Sequence, residues 1–111
     1  MERIVEDTLL YDFYGELLTG HQKQIYEFYL DDYSLSEIAA EAGISRQGVH
    51  DLIKRCNKTL REYEDMLRLV EKFTAAKAKV GEIRRLAESG AVSSEDIRRI
   101  EDLSNEILEE F

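Results

Sequence analysis

The chain of 111 residues contains no proline and only 6 glycines. These two residue types supply most of the tight turns between β-strands, and proline also ends helices. A chain that contains so few of them favours long helices with few connections. We therefore expect an all-α fold, built as one domain or as a small domain with a helical appendage. A multidomain enzyme is excluded by length.

The charge balance limits the partners of this chain. Its net charge is −9, so nucleic acid and anionic membranes repel the molecule as a whole, and any contact with a polyanion must be local. The single cysteine cannot form an internal disulfide. Residues 1–10 carry acids where a secretion signal is basic and then apolar, and no apolar run approaches the roughly 20 residues of a membrane span. We expect a cytoplasmic protein without membrane insertion.

Apolar residues and capping residues predict three helices in the first half of the chain. The predicted apolar face of the first helix comprises Val5, Leu9, Leu10, Phe13 and Leu17. Thr19 with Gln22 has the spacing of a capping box and opens the second helix. The predicted apolar face of that helix comprises Ile25, Phe28 and Tyr29. Ser34 with Glu37 repeats the capping box, and the short third helix stops at Gly43.

A fourth and longer helix begins after Ser45. Its apolar positions alternate steps of four and three residues and comprise Val49, Ile53, Cys56, Leu60, Tyr63, Leu67 and Val70. Beyond Val70 the stripe shifts, so the helix kinks, breaks near Thr74 or changes its packing partner. A stop at Ser89 and Gly90 precedes a last helix from Ser93 and Ser94. We expect a head over residues 1–72 and a helical hairpin or extension over residues 73–111.

Residues 35–54 fit a helix-turn-helix motif position by position. Small Ala39 allows the two helices to approach closely, and Gly43 can adopt the positive φ of the sharp turn. The apolar positions predicted to lie between the helices are Ile38, Ala42, Ile44, Val49 and Leu52. The second helix of the motif, from Arg46, is then the recognition helix.

The recognition helix is basic although the chain is acidic. Residues 45–61 contain five basic side chains and one acidic one, a net charge of +4. Phosphate contacts supply much of the affinity of nucleic-acid readers, and contacts to base edges supply selectivity. The residues predicted to meet base edges are Ser45, Arg46, Gln47 and His50, and those predicted to meet phosphate are Lys54, Arg55, Lys58 and Arg61.

Two sequence runs in this region are recognisable. YSLSEIA at residues 33–39 and GISRQGV at residues 43–49 resemble region 4 of bacterial sigma factors, which reads the −35 promoter element. More closely, residues 9–70, with YEFYLDD at 26–32 and ISRQGVHDLIKR at 44–55, resemble the YlxM family of small bacterial helix-turn-helix proteins. The resemblance implies an all-α head of the sigma region 4 type, without a β-wing, followed by a long helix and a C-terminal helical extension.

The YlxM resemblance also implies a cellular setting. That family is encoded beside the signal recognition particle GTPase and is thought to act in that pathway as a regulator, through the RNA of the particle or through its GTPase. The chain is too short to hold the other regions of a complete sigma factor. The implied function is therefore that of a regulatory binder of DNA or of signal recognition particle RNA.

A rival hypothesis makes the chain a protein-interaction module. Its acidic body and the apolar stripe from Tyr63 to Ile107 would then bind a partner such as the signal recognition particle GTPase. The same stripe raises the hypothesis of a homodimer, since a chain of this size has little else to cover it. The sequence alone does not distinguish DNA from RNA as the ligand. It also does not name a target sequence or tell activation from repression.

No residue pattern indicates catalysis, a cofactor or a metal site. The chain has no glycine-rich phosphate loop, no nucleophile placed near a candidate base, and only 2 histidines. His21 and His50 are far apart in sequence and neither has the spacing of a metal ligand. Cys56 lies within the apolar stripe, so we expect it to be a core residue. We expect a protein that is not an enzyme.

Overall fold

The computed structural model describes residues 3–90 and 93–110, and every description below is limited to them. They form six α-helices and no strands, which confirms the expected all-α fold. The chain divides into two units, residues 1–68 and residues 69–111. Each unit is described by itself.

The first unit contains four helices. They are Arg3–Tyr14 (α1), Gly20–Leu30 (α2), Leu35–Ala42 (α3) and Arg46–Leu67 (α4). A 3-10 turn, Gly15–Leu17, continues from α1. The longest helix, α4, packs against each of the other three, so it carries the core of the unit.

Capping side chains begin three of these helices where the sequence predicted them. The Thr19 hydroxyl accepts a hydrogen bond from the Gln22 amide at 3.2 Å, and the Gln22 side chain accepts from the Thr19 amide at 3.0 Å. Ser34 and Glu37 make the same reciprocal pair at the start of α3. The Ser45 hydroxyl accepts from a backbone amide of α4. Both predicted capping boxes are therefore confirmed.

The buried face of α1 differs from the predicted one. Val5, Phe13 and Leu17 are exposed, whereas the buried side chains of this segment are Asp7, Leu10, Tyr14 and Leu18. The prediction counted only apolar residues and so placed the face about a third of a turn away. Tyrosine and aspartate were left out of the pattern although their hydroxyl and carboxylate groups find partners on other helices. Leu10 is buried as predicted and Leu9 is half-buried, but the prediction is wrong at Val5, Phe13 and Leu17 for this reason.

The core of the first unit agrees with the prediction on α3 and α4, whereas on α2 Tyr26 is fully buried and the predicted Phe28 and Tyr29 are only half-buried. Its fully buried apolar members on α2, α3 and α4 are Ile25, Tyr26, Ile38, Val49, Cys56 and Leu60. Burial raises the pKa of the Cys56 thiol to about 11, so the thiol stays protonated near neutral pH. The prediction that Cys56 is a core residue is confirmed.

The long helix ends earlier than its apolar pattern indicates. Arg68 adopts a left-handed conformation with φ of 55°, its amide donates to the Glu64 carbonyl at 2.7 Å, and α5 begins at the next residue. The interruption therefore lies at Arg68 and not near Thr74, and the boundary between the units lies four residues before the expected one at 72/73. An arginine in this conformation leaves no signal in the sequence, because glycine or asparagine is usual there.

The second unit consists of two helices, Leu69–Glu88 (α5) and Ser94–Glu110 (α6), which pack against each other. Gly90 has φ of 74° after the end of α5, and the Ser93 hydroxyl accepts from the Asp96 amide at 3.1 Å at the start of α6. Arg99 joins the two helices through an ion pair with Glu82, with 3.0 Å between Nε and Oε1. The predicted C-terminal helical pair is present. Among the described residues, no helix is both long and apolar enough to cross a membrane.

We expect Gly43→Ala to lower the free energy of unfolding of the protein by about 1–2 kcal/mol. Gly43 has φ of 71°, where a Cβ strains the backbone, although no atom stands within 4 Å of the added carbon. Gly20→Ala is the matched control, because Gly20 also has open space but opens α2 without a positive φ. It should be neutral or stabilise by about 0.4–1 kcal/mol. Urea denaturation measures both, and equal effects would contradict the assignment of strain to the turn.

Candidate nucleic-acid interface

The turn between α3 and α4 fixes the start of the recognition helix. The amides of Gly43 and Ile44 both donate to the Ala39 carbonyl, at 2.9 and 3.2 Å, which closes α3. The Ser45 hydroxyl then accepts from the Gly48 amide at 3.0 Å and opens α4. Ile38 and Val49 are fully buried. The predicted helix-turn-helix is therefore a packed unit with α4 as its second helix.

The first turn of α4 presents polar side chains to solvent. Ser45, Arg46, Gln47 and His50, which the sequence predicted to meet base edges, are all exposed. The Gln47 amide donates to the Asp51 carboxylate at 2.9 Å, and His50 Nδ1 lies 3.5 Å from the same carboxylate oxygen. Asp51 therefore organises the exposed side of this turn. In helix-turn-helix readers the equivalent end of the recognition helix contacts base edges.

The next two turns of α4 present three cations. Lys54, Arg55 and Lys58 are exposed, and within the described part of the chain none of their side chains has a hydrogen bond or an ion pair. With Asp51, Arg61, Glu62 and Asp65 they line an open groove along α4. We call Lys54, Arg55 and Lys58 the basic triad. Its charges are available to an external anion because no carboxylate of the described residues neutralises them directly.

Arg61, the fourth residue predicted to meet phosphate, forms ion pairs with two acids of the same unit. Its Nη1 lies 2.8 Å from Glu6 Oε1 and its Nη2 lies 3.2 Å from Asp7 Oδ1. Its hydrogen bond lowers the pKa of Glu6, and the same contact raises the pKa of Arg61. Asp7 is fully buried and also accepts the Tyr29 hydroxyl at 2.8 Å. Arg61 thus differs from the basic triad, with which it lines one groove, in being paired with two acids on α1.

The sequence reasoning missed a cavity beside the recognition helix. Its volume is about 380 Å³, and it is lined by Arg3, Tyr29, Leu35, His50, Ile53, Lys54 and Asn57. Asn57 had a recognisable signal, because it is a polar residue next to Cys56 and one turn from Ile53 and Leu60 on the buried side of α4. Arg3 and Leu35 had none, since only the tertiary structure brings their helices to α4. No group of three or more potential metal ligands occurs in the described residues.

Comparison with known proteins places this chain in a family. Residues 1–108 match the family UPF0122, described as "Putative helix-turn-helix protein, YlxM / p13 like". A UPF0122 protein of Acetivibrio thermocellus is 45% identical over 116 aligned positions, which cover 98% of this chain and 99% of that one. The UPF0122 protein YlxM of Bacillus subtilis is 43% identical, with 87% of this chain and 88% of that one covered. A UPF0122 protein of Bacillus pumilus is 41% identical over 93% of this chain and 94% of its own length.

We expect Arg61→Ala to lower the free energy of unfolding by about 1–3 kcal/mol, because it leaves the buried Asp7 carboxylate without its charged donor. Lys58→Ala is the control on the same helix and should change it by no more than about 0.5 kcal/mol. Urea denaturation at neutral pH measures both variants. If Arg61→Ala costs no more than Lys58→Ala, the ion pairs to Glu6 and Asp7 contribute nothing to stability.

Proposed function

The chain belongs to the UPF0122 family of YlxM/p13-like helix-turn-helix proteins, and from this premise we propose that it is a regulator that binds nucleic acid through α4. The observation that carries the proposal is the basic triad. Three exposed cations follow one another on one helix without an intramolecular partner among the described residues. Clustered cations of this kind bind phosphates by releasing counterions.

The proposal divides the exposed face of α4 into two parts. The basic triad binds phosphates and supplies affinity, with no selectivity of its own. The helix start, with Ser45, Arg46, Gln47 and His50, meets base edges as the first turn of a recognition helix does. We do not propose that Arg61 binds phosphate, because breaking its ion pairs with Glu6 and Asp7 would leave a buried carboxylate with fewer partners.

The resemblance to the YlxM family supports a setting in the signal recognition particle pathway. In that setting the RNA of the particle is the first polymer to test, with duplex DNA beside it because sigma region 4 reads a promoter. Both polymers offer phosphates to the basic triad. They differ in the grooves that they open to a helix, since the major groove of DNA admits one and that of RNA is too narrow.

The decisive experiment is fluorescence anisotropy of labelled signal recognition particle RNA and of labelled duplex DNA at several salt concentrations. We expect binding that weakens with salt. Lys54→Gln, Arg55→Gln and Lys58→Gln together should weaken it and reduce the slope of log affinity against log salt by about 2–3 for duplex DNA. Glu62→Gln, which removes an acid from the same groove, should strengthen binding.

The matched control removes three charges elsewhere. Lys72→Gln, Lys77→Gln and Lys79→Gln change the net charge by the same amount, but they lie on α5 in the second unit. We expect affinity and salt slope to stay close to those of the unchanged protein. Equal losses in the two triple variants would show a nonspecific charge effect, and absence of binding to both polymers would refute the proposed function.

The second unit favours a second function, the binding of a protein partner. Val80, Ile97 and Leu108 are large apolar side chains with 51–74% of their surface exposed. Such surface is typical of an interface. We propose a second copy of the chain as the partner, with the signal recognition particle GTPase as the alternative.

Light scattering at micromolar concentration should give a dimeric mass for the unchanged protein. The double variant Val80→Glu with Leu108→Glu should have the mass of a monomer. A monomeric mass for the unchanged protein would refute the homodimer.

A further inference from the structure

The cavity beside α4 combines apolar walls with a charged mouth. Ile53 is buried, Leu35 and Tyr29 are half-buried, and these three form its apolar part. Arg3, His50 and Lys54 are exposed and therefore lie at its mouth. The volume of about 380 Å³ is within the range of small-molecule sites. A ligand that fits must offer apolar surface to the walls and negative charge to the mouth.

Asn57 adds hydrogen-bond donors to the cavity. Its Oδ1 accepts the Tyr26 hydroxyl at 2.5 Å, and its side chain is 7% exposed. Among the described residues no enclosed side-chain nitrogen or oxygen lacks a hydrogen-bond partner. The amide nitrogen of Asn57 makes no such bond, so the small open surface of this residue includes it, and Asn57 is one of the residues that line the cavity. We infer that this amide nitrogen is a hydrogen-bond donor for a ligand in the cavity.

Tyr29 lines the cavity, and its hydroxyl is already hydrogen-bonded within the protein. The hydroxyl donates to Asp7 at 2.8 Å, which leaves the ring as the part of the side chain offered to a ligand. Aromatic rings of this kind bind flat ligands by stacking or by edge contact. The walls of the cavity are thus suited to a planar, weakly polar group.

A nucleotide has the planar apolar group, the hydrogen-bond acceptors and the negative charge that such a ligand needs. Its base is flat and apolar on both faces, its edge carries acceptor nitrogens and oxygens, and its phosphate is an anion at one end. A base inside a duplex is stacked on both sides and cannot enter such a cavity, whereas an unpaired base can. Lys54 belongs both to the basic triad and to the mouth of the cavity. A strand whose phosphates lie on the triad therefore brings its bases to this opening.

We propose that this cavity binds one unpaired nucleotide of a nucleic-acid strand, with the base between Tyr29, Leu35 and Ile53 and its phosphate at Arg3 and Lys54. The inference rests on the proposed function and gives it a substrate class. The protein recognises single-stranded or looped segments, and Asn57 donates to an acceptor on the base edge.

The experiment compares a short labelled single strand with the duplex that it forms with its complement. Leu35→Phe should fill the cavity and weaken single-strand binding about tenfold, the loss expected for one stacked base, without changing duplex binding. Asn57→Asp keeps an acceptor for the Tyr26 hydroxyl but replaces the donors with a carboxylate, and should act in the same direction. Leu17→Phe is the matched control, because Leu17 is exposed and does not line the cavity.

Nuclear magnetic resonance provides a readout that does not depend on a change in affinity. The chain has only two asparagines, Asn57 and Asn105, so their side-chain amide signals are readily assigned. Addition of the single strand should shift the amide signals of Asn57 and leave those of exposed Asn105 unchanged. Free nucleoside monophosphates form a second arm, which separates a nucleotide held in a strand from a small-molecule ligand.

Each outcome decides between the proposals. Loss of single-strand affinity in Leu35→Phe together with a shifted Asn57 signal supports the inference. Single-strand binding that depends on the basic triad but not on Leu35 or Asn57 overturns the inference and retains the proposed function. Shifts caused by free monophosphates alone, with no strand binding, overturn both. The circular dichroism spectrum of each variant establishes that it is folded.

Discussion

A buried carboxylate organises the first unit. Asp7 has no exposed surface, and a carboxylate in that position requires partners that replace water. It receives the Tyr29 hydroxyl from α2 and the Arg61 guanidinium from α4, so one side chain of α1 connects three helices. Burial raises the pKa of Tyr29 to about 12, which keeps the phenol protonated as a donor. Helices that packed through apolar contacts alone could slide, whereas these bonds fix their register.

Tyrosine hydroxyls repeat this arrangement across the unit. Four of them donate to a side-chain oxygen of another helix: Tyr11 to Glu27, Tyr14 to Glu64, Tyr26 to Asn57 and Tyr29 to Asp7. Each ring buries apolar surface while its hydroxyl specifies one partner. The consequence for function is positional. Because α4 is held by bonds to both α1 and α2, its opposite face is presented in a fixed orientation, and the basic triad lies on that face.

Local signals explain why most of the helix starts could be predicted from the sequence. A capping box depends on residues three apart, as in Thr19 with Gln22, so no tertiary information is needed to recognise it. The buried face of α1 could not be found from apolar periodicity, because Asp7 and Tyr14 are buried through partners that lie 22 and 50 residues away in the chain. The break at Arg68 could not be predicted, because arginine has no preference for the left-handed backbone conformation that it adopts there. The cavity could not be predicted because its lining residues, among them Arg3 and Asn57, come from four different helices.

The same tertiary contacts reconcile an acidic protein with a basic binding face. Arg61 pairs with the carboxylates of Glu6 and Asp7, so the charges of these three side chains are largely compensated within the first unit. At physiological ionic strength charges more than about 8 Å apart are largely screened, so the overall charge of −9 opposes binding less than the nearest acids do. Glu62 and Asp65 are such acids, and with the triad they line one groove. Phosphate attraction is therefore limited to a short stretch of α4. Under the proposed function, so small an attractive surface gains little from a uniform duplex backbone, and contacts that depend on the shape of the ligand, at the helix start and in the cavity, would have to supply the rest of the affinity.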